Sequence, residues 1–200
     1  VDRASGVAKI SVAHDFSKET DVKSFSLEVE KKEEGTLAVV NLNAQLTDTK
    51  GNVKTLNKFN NKIKVDIPYT LKEGDDQEKI TVMFVDNGKE TNMTARYDSD
   101  SKVVTFYTEH FSKYVITNNT VNFKDVPQNH WAKANIEALA AKDIVMGRTS
   151  KDAFLPNENV TRAEFAKFIT LAVNLIDSSA TANFKDVVKT NSDYMYIASA

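Results

Sequence analysis

The spacing of apolar residues changes once along this chain, near Thr117, and that change limits the folds open to it. Before it, the period is two. Phe25, Leu27 and Val29 alternate with Ser26, Glu28 and Glu30, and Ile63, Val65 and Ile67 alternate with Lys62, Lys64 and Asp66. Ile80, Val82 and Phe84 share one face, and Val104 and Phe106 another. A backbone that sends alternate side chains to opposite faces is a β-strand. Between Leu37 and Leu46 the apolar phase slips at Val39 and Val40. This predicts a bulge that turns Leu37 and Val39, then Val40, Leu42 and Leu46, toward one core. Asp86-Asn87-Gly88 supplies the positive-φ residues of a tight hairpin. Lys50-Gly51-Asn52 and Asp98-Ser99-Asp100-Ser101 read as further turns. Pro68 closes a strand, because it cannot donate within a central ladder. About eight short strands with regular turns predict an antiparallel β-sandwich over residues 1–117, serving as a stalk or display domain.

After Thr117 a polar linker (118–122) leads into helical spacing. The first helix, from Trp131, carries Ala132, Ile136, Leu139 and Ala140 on one side. A loop with Gly147 and Pro156 follows. The second helix starts at Thr161 and aligns Phe165, Phe168, Ile169 and Ala172. Thr161 with Glu164 has the spacing of a capping box, in which each side chain accepts a hydrogen bond from the other's backbone N–H. The predicted class is α+β, an N-terminal sandwich followed by helix–loop–helix.

Bulk properties exclude several functions. A net charge of -2 lacks the basic face of a nucleic-acid binder. With no cysteine there is neither a disulfide framework nor a thiolate metal site. No apolar run approaches the length of a membrane span. His14, His110 and His130 lie far apart, without acidic partners at metal-ligand spacing. No nucleophile motif or phosphate loop is present, so no enzyme and no cofactor is expected. The Asp98-Ser-Asp100 run lacks the glycine and distal glutamate of a calcium loop.

The segment Asn122-Phe-Lys-Asp-Val126 recurs as Asn183–Val187, and extending the alignment pairs Ile136 with Ile197. A unit repeated in tandem needs a neighbour to cover the apolar face that each copy leaves open. The residues Phe123-x-Asp125-Val126, His130-Trp131-Ala132, Ile136, Leu139, Ile144, Gly147, Phe154-x-Pro156 and Thr161-Arg-Ala-Glu-Phe165 resemble an S-layer homology (SLH) domain in order and spacing. On that resemblance, residues 123–176 form one complete unit and 183–200 the start of a second, cut short. Asp143 stands where the family often has glycine, and Ser192 aligns with Trp131. The β-rich half is more loosely similar to the strand-rich segments that precede such domains, through Ile67-Pro-Tyr69 and His110–Ile116.

The resemblance implies a non-enzymatic bacterial surface protein that binds secondary cell-wall polysaccharide, often through a pyruvylated sugar, with Arg162, Trp131, Thr161 and Glu164 as its polysaccharide-binding residues. Residue chemistry agrees for Arg162. A guanidinium at the first turn of a helix adds to the unpaired N–H groups there and pairs a carboxylate bidentately, each charge-assisted bond contributing about 1.5–3 kcal/mol. Spacing alone leaves alternatives open. Arg162 equally suits a surface ion pair with Glu164, Glu158 or Asp125, Thr161 and Glu164 suit capping, and Trp131 suits either packing or stacking on a sugar. Asp125 reads as the cap of the turn that follows it. Self-association through the faces of helices 131–142 and 162–175 is expected, and a lattice-building protein–protein module without carbohydrate binding is the alternative function.

Overall fold

A computed structural model of the chain describes residues 2–4, 6–11, 21–35 and 37–200, with only the backbone at 2–4 and 60. His14 lies outside the described residues. Two compact units emerge, Val1–Asn119 and Thr120–Ala200.

The first unit is built from antiparallel strands β1 (Asp2–Ala4), β2 (Lys9–Ser11), β3 (Val22–Glu34), β4 (Leu37–Asp48), β5 (Val53–Thr55), β6 (Lys58–Pro68), β7 (Ile80–Asp86), β8 (Lys89–Asn92), β9 (Arg96–Asp98), β10 (Val103–His110) and β11 (Lys113–Asn118). One sheet runs β1-β2-β6-β10-β9 and the other β3-β4-β11-β7-β8, with β5 also on β4. Their inner faces make one core around Ile10, Val40, Ile63, Val65, Ile67, Ile80, Val82, Val104 and Phe106. Phe106 of β10 meets Tyr114 of β11 across the layers, ring centres 4.9 Å apart. This is the sandwich expected from the period-two pattern.

The expected bulge at Val39 and Val40 is absent. The β3–β4 register runs unbroken from Lys32↔Val39 to Lys31↔Val40. Ala38, Val40, Leu42 and Ala44 take the core face. Val39 is buried on the other face, paired with Val115, and Leu37 is exposed. A strand can bury both faces, and two adjacent valines then need no bulge. Turn chemistry follows the residues more closely. Asn87 and Gly88 both adopt positive φ, at 48° and 80°, as a two-residue hairpin requires. Asp98 Oδ1 accepts from the amides of Asp100 (3.0 Å) and Ser101 (2.9 Å), closing a turn.

The two tyrosines in the looser resemblance are structural. Tyr69 Oη donates to Asp75 Oδ2 at 2.9 Å. Tyr114 Oη donates to the His110 carbonyl at 2.6 Å, and burial pushes its hydroxyl up to about 12. His110, half-buried against Phe84 with ring centres 4.2 Å apart, is held below the usual imidazole range by desolvation.

The second unit contains α1 (Lys133–Ala141), α2 (Arg162–Ala172) and α3 (Tyr194–Ser199). No helix is long and apolar enough to cross a membrane. A small core joins Phe123, Val126, Ile136, Ala140, Ile144 and Val145, with Phe154, Phe168 and Leu171 packed on it. Both helical stripes differ from those read off the spacing. On α1, Glu137 is buried while Leu139 is 40% exposed. Lys133, one turn earlier, pairs with the Glu137 carboxylate, which lets the charge sit inward. On α2 the stripe splits: Phe168 faces the core, but Phe165 and Ile169 are 57% and 45% exposed.

Candidate functional site

The unit is organised around the turn into α2. Thr161 is the N-cap, and both halves of the capping box form. The Glu164 amide donates to Thr161 Oγ1 (3.2 Å), and the Thr161 amide to Glu164 Oε2 (2.7 Å). The Thr161 hydroxyl also donates to Oε2 at 2.9 Å.

Arg148, which the sequence did not single out, completes this arrangement. Its Nε donates to Glu164 Oε1 at 2.8 Å and a terminal nitrogen to Oε2 at 2.7 Å. The same terminal nitrogen reaches the Asn159 carbonyl at 3.0 Å. Both Glu164 oxygens are thus engaged within the chain. The Thr161 amide, then Arg148 and the Thr161 hydroxyl, hold this carboxyl below the ordinary glutamate range. Arg148 is brought there by a loop that folds back on itself, with its amide on the Ala153 carbonyl at 2.8 Å. The loop is tight because of Gly147: a Cβ there would lie 2.0 Å from the Ser150 carbonyl oxygen. Sixteen residues separate Arg148 from Glu164, and only the loop's path makes them neighbours.

Asp125 has a similar long-range task. It does not cap the turn that follows it. Its carboxylate accepts from the amides of Phe154 (2.9 Å) and Leu155 (2.7 Å), and these bonds lower its pKa, Phe154's contributing most. Leu155 carries a positive φ of 59°, rare for a branched residue, and Asp125 holds the backbone in that shape. Lys124, beside it, pairs with Asp152 at the surface, at 2.6 Å.

Arg162 is the first residue of α2 and is exposed. Of the carboxylates considered for it, Glu164 is taken by Arg148 and Asp125 by backbone amides. Among the described residues none forms an ion pair or a side-chain hydrogen bond with Arg162. It lines an open groove of about 420 Å³ with Val160, Phe165, Ala166, Ile169 and Ala200. Trp131 lies in the turn before α1. It is 89% exposed, and its ring stacks beside His130 at 5.9 Å. Packing within the chain therefore does not account for this tryptophan.

The second copy of the repeat is built differently. Phe123 is buried, but its counterpart Phe184 is 52% exposed. Tyr194 anchors this segment instead, its hydroxyl bonding both the amide and the carbonyl of Ala182 at 3.0 Å. Lys167 of α2 lies 5.1 Å over the Tyr196 ring of α3.

The family model described as S-layer homology domain matches residues 122–166, the segment from the first Phe-Lys-Asp-Val through the capping box. The chain carries an S-layer homology domain. The SLH segment is shared with proteins of different kinds. An amylopullulanase of Thermoanaerobacterium thermosulfurigenes is 32% identical over 125 residues, 62% of this chain and 7% of that protein. That stretch exceeds the second unit, so it includes part of the β unit. Outer membrane protein SlpA of Thermus thermophilus is 51% identical over 47 residues, 24% of this chain and 5% of its own length. S-layer protein EA1 of Bacillus anthracis is 36% identical over 66 residues, 32% of this chain and 8% of its own. The chain thus spans under a tenth of these relatives. No solved structure matches it.

Proposed function

We propose that this chain anchors the protein bearing it to the bacterial cell wall, at the outer surface and without catalysis, by binding secondary cell-wall polysaccharide. Arg162 pairs with an acidic group of the polymer, such as a pyruvate ketal, and Trp131 stacks on a sugar ring. Thr161 and Glu164 shape the helix start that presents Arg162. Residues 123–176 act as a complete unit, 183–200 as the start of a second, and 1–117 as a stalk or display domain, with 118–122 linking them.

The observation that carries this reading is that Arg162 has no ion-pair or side-chain hydrogen-bond partner among the described residues, although acidic groups are close in sequence. A guanidinium left open beside the unpaired amides of a helix start is suited to an anion. The relatives add support. An amylopullulanase and S-layer proteins share this region and little else of their length, so what the region does is separate from hydrolysis. Single contacts of this kind are weak, and several units in one protein give retention through effective concentration.

In the full-length protein, Arg162→Ala is expected to abolish sedimentation with purified cell walls. Trp131→Ala should weaken it while changing folding stability by under about 0.5 kcal/mol, because so exposed a side chain holds little of the fold. Unchanged sedimentation of R162A would sink the assignment.

A second reading is favoured by the apolar residues that α2 and its flanks leave in water: Val160, Phe165, Ile169, Val173 and Leu175, all at least 45% exposed. In it, the unit is a protein–protein module that self-associates or builds a surface lattice. Pull-down with polysaccharide stripped of protein separates the two, since only the first reading predicts capture.

A further inference from the structure

We propose that Arg148 is a positioning residue that keeps Arg162 available to an anionic ligand, by occupying and neutralising Glu164, the one acidic residue in the first turn of the same helix. The proposal rests on the reading of Arg162 given above.

Three charges meet at the start of α2. Glu164 is the only acidic side chain in that first turn. Its carboxylate would repel an anion arriving at Arg162 unless something cancels its charge. Arg148 does so in fork-to-fork geometry, the strongest form of this contact. The pair is three-quarters removed from water, with the Arg148 and Glu164 side chains 22% and 25% exposed, so the neutralisation is stronger than at an open surface. Arg162 cannot take over this task from its own place. Residues two apart on a helix do not face each other, so Arg162 and Glu164 project in different directions. What remains is one neutral pair and one cation.

Removing Arg148 leaves Glu164 where it is, because the Thr161 amide and hydroxyl still hold Oε2. An uncompensated negative charge then sits two residues along the helix from Arg162, a separation short enough for its field to reach the anion within the roughly 8–10 Å screening length of physiological salt. The effect on binding is electrostatic and acts at a distance. A bare clamp that only held the loop would behave differently.

The test measures affinity of the full-length protein for purified cell walls of the producing organism at low and high salt. R148A should bind about 3–10-fold more weakly at low salt, and the deficit should shrink near 1 M NaCl, where screening falls to about 3 Å. R148A/E164Q should recover most of the low-salt affinity that R148A loses, because the charge left behind has gone while glutamine can still close the capping box. R148K should also stay close to wild type despite losing the fork, since it keeps the charge. R148A binding as wild type overturns the proposal. So does failure of E164Q to rescue it, or R148K losing as much as R148A, since both mark a purely structural clamp. Ellipticity at 222 nm establishes that each variant is folded, and if R148A is not, R148K decides. R162A binding as wild type overturns instead the reading of Arg162, and the role of Arg148 with it.

Discussion

Replacing Gly147 with alanine should open the loop that carries Arg148. The added Cβ would lie 2.0 Å from the Ser150 carbonyl oxygen, with the Lys151 carbonyl oxygen at 2.9 Å and its carbon at 3.0 Å. Carbon–oxygen contacts under 3.0 Å essentially never occur, so Ser150 must retreat by about 1 Å or more. The obstacle is backbone and cannot swing away like the end of a side chain. The loop is also pinned, by the Arg148 amide on Ala153, by Arg148 on Glu164, and by Asp125 on Phe154 and Leu155. Overpacking a fitted site costs about 1–3 kcal/mol, and a rigid obstacle places this substitution near the upper end. For a unit of this size each kcal/mol lowers Tm by about 4–8 °C. We therefore expect the helical transition, followed at 222 nm, to fall by roughly 10–20 °C. Amide shifts should change at Arg148, Ala153 and Glu164, because the loop and the start of α2 are joined through the arginine. Gly6→Ala is the control, since nothing lies within 4 Å of its added methyl. A G147A protein melting within about 2 °C of wild type would refute the argument that this loop is sterically closed around Gly147.

Asp143 follows α1 with φ at 55°, its amide on Ala140 and the next amide on Leu139, the left-handed C-terminal cap at which glycine is favoured. Asp143→Gly should stabilise the unit by about 1 kcal/mol, read as a rise in Tm, since glycine adopts that φ without steric cost. Acid should act on the α2 turn in a defined direction. Glu164 and Asp125 both have folded pKa values below their ordinary 4.5 and 3.8. Their contribution is therefore complete above those unfolded values and lost as pH falls through the lower folded ones. The E164Q/D125N protein should lose less Tm than wild type between pH 5 and pH 3, taking about pH 4 as the ordinary carboxylate midpoint. Parallel pH profiles would show that these carboxylates are not stabilised by folding.

Much of this protein was legible along the chain. Alternation at Phe25–Val29 and Ile63–Ile67, the Asn87-Gly88 hairpin and the Thr161–Glu164 box depend on backbone angles and residues within four positions, so sequence carries them directly. The order of motifs from Phe123 to Phe165 likewise identified the SLH segment. Three-dimensional packing decided what local rules leave open. Val39 is buried without a bulge, because the strand stays in regular register and this one residue of its outer face is covered beside Val115. Phe165 and Ile169 stay in water although their helical spacing matches that of Phe168, because within this unit only Phe168's side of α2 meets the core. Arg148 shows the limit most clearly. Nothing in Gly147-Arg148-Thr149 announces a partner for Glu164. The two meet only because a closed loop turns back across the start of α2, and that closure depends on an atom, the missing Cβ of Gly147, whose importance appears once Ser150 is in place.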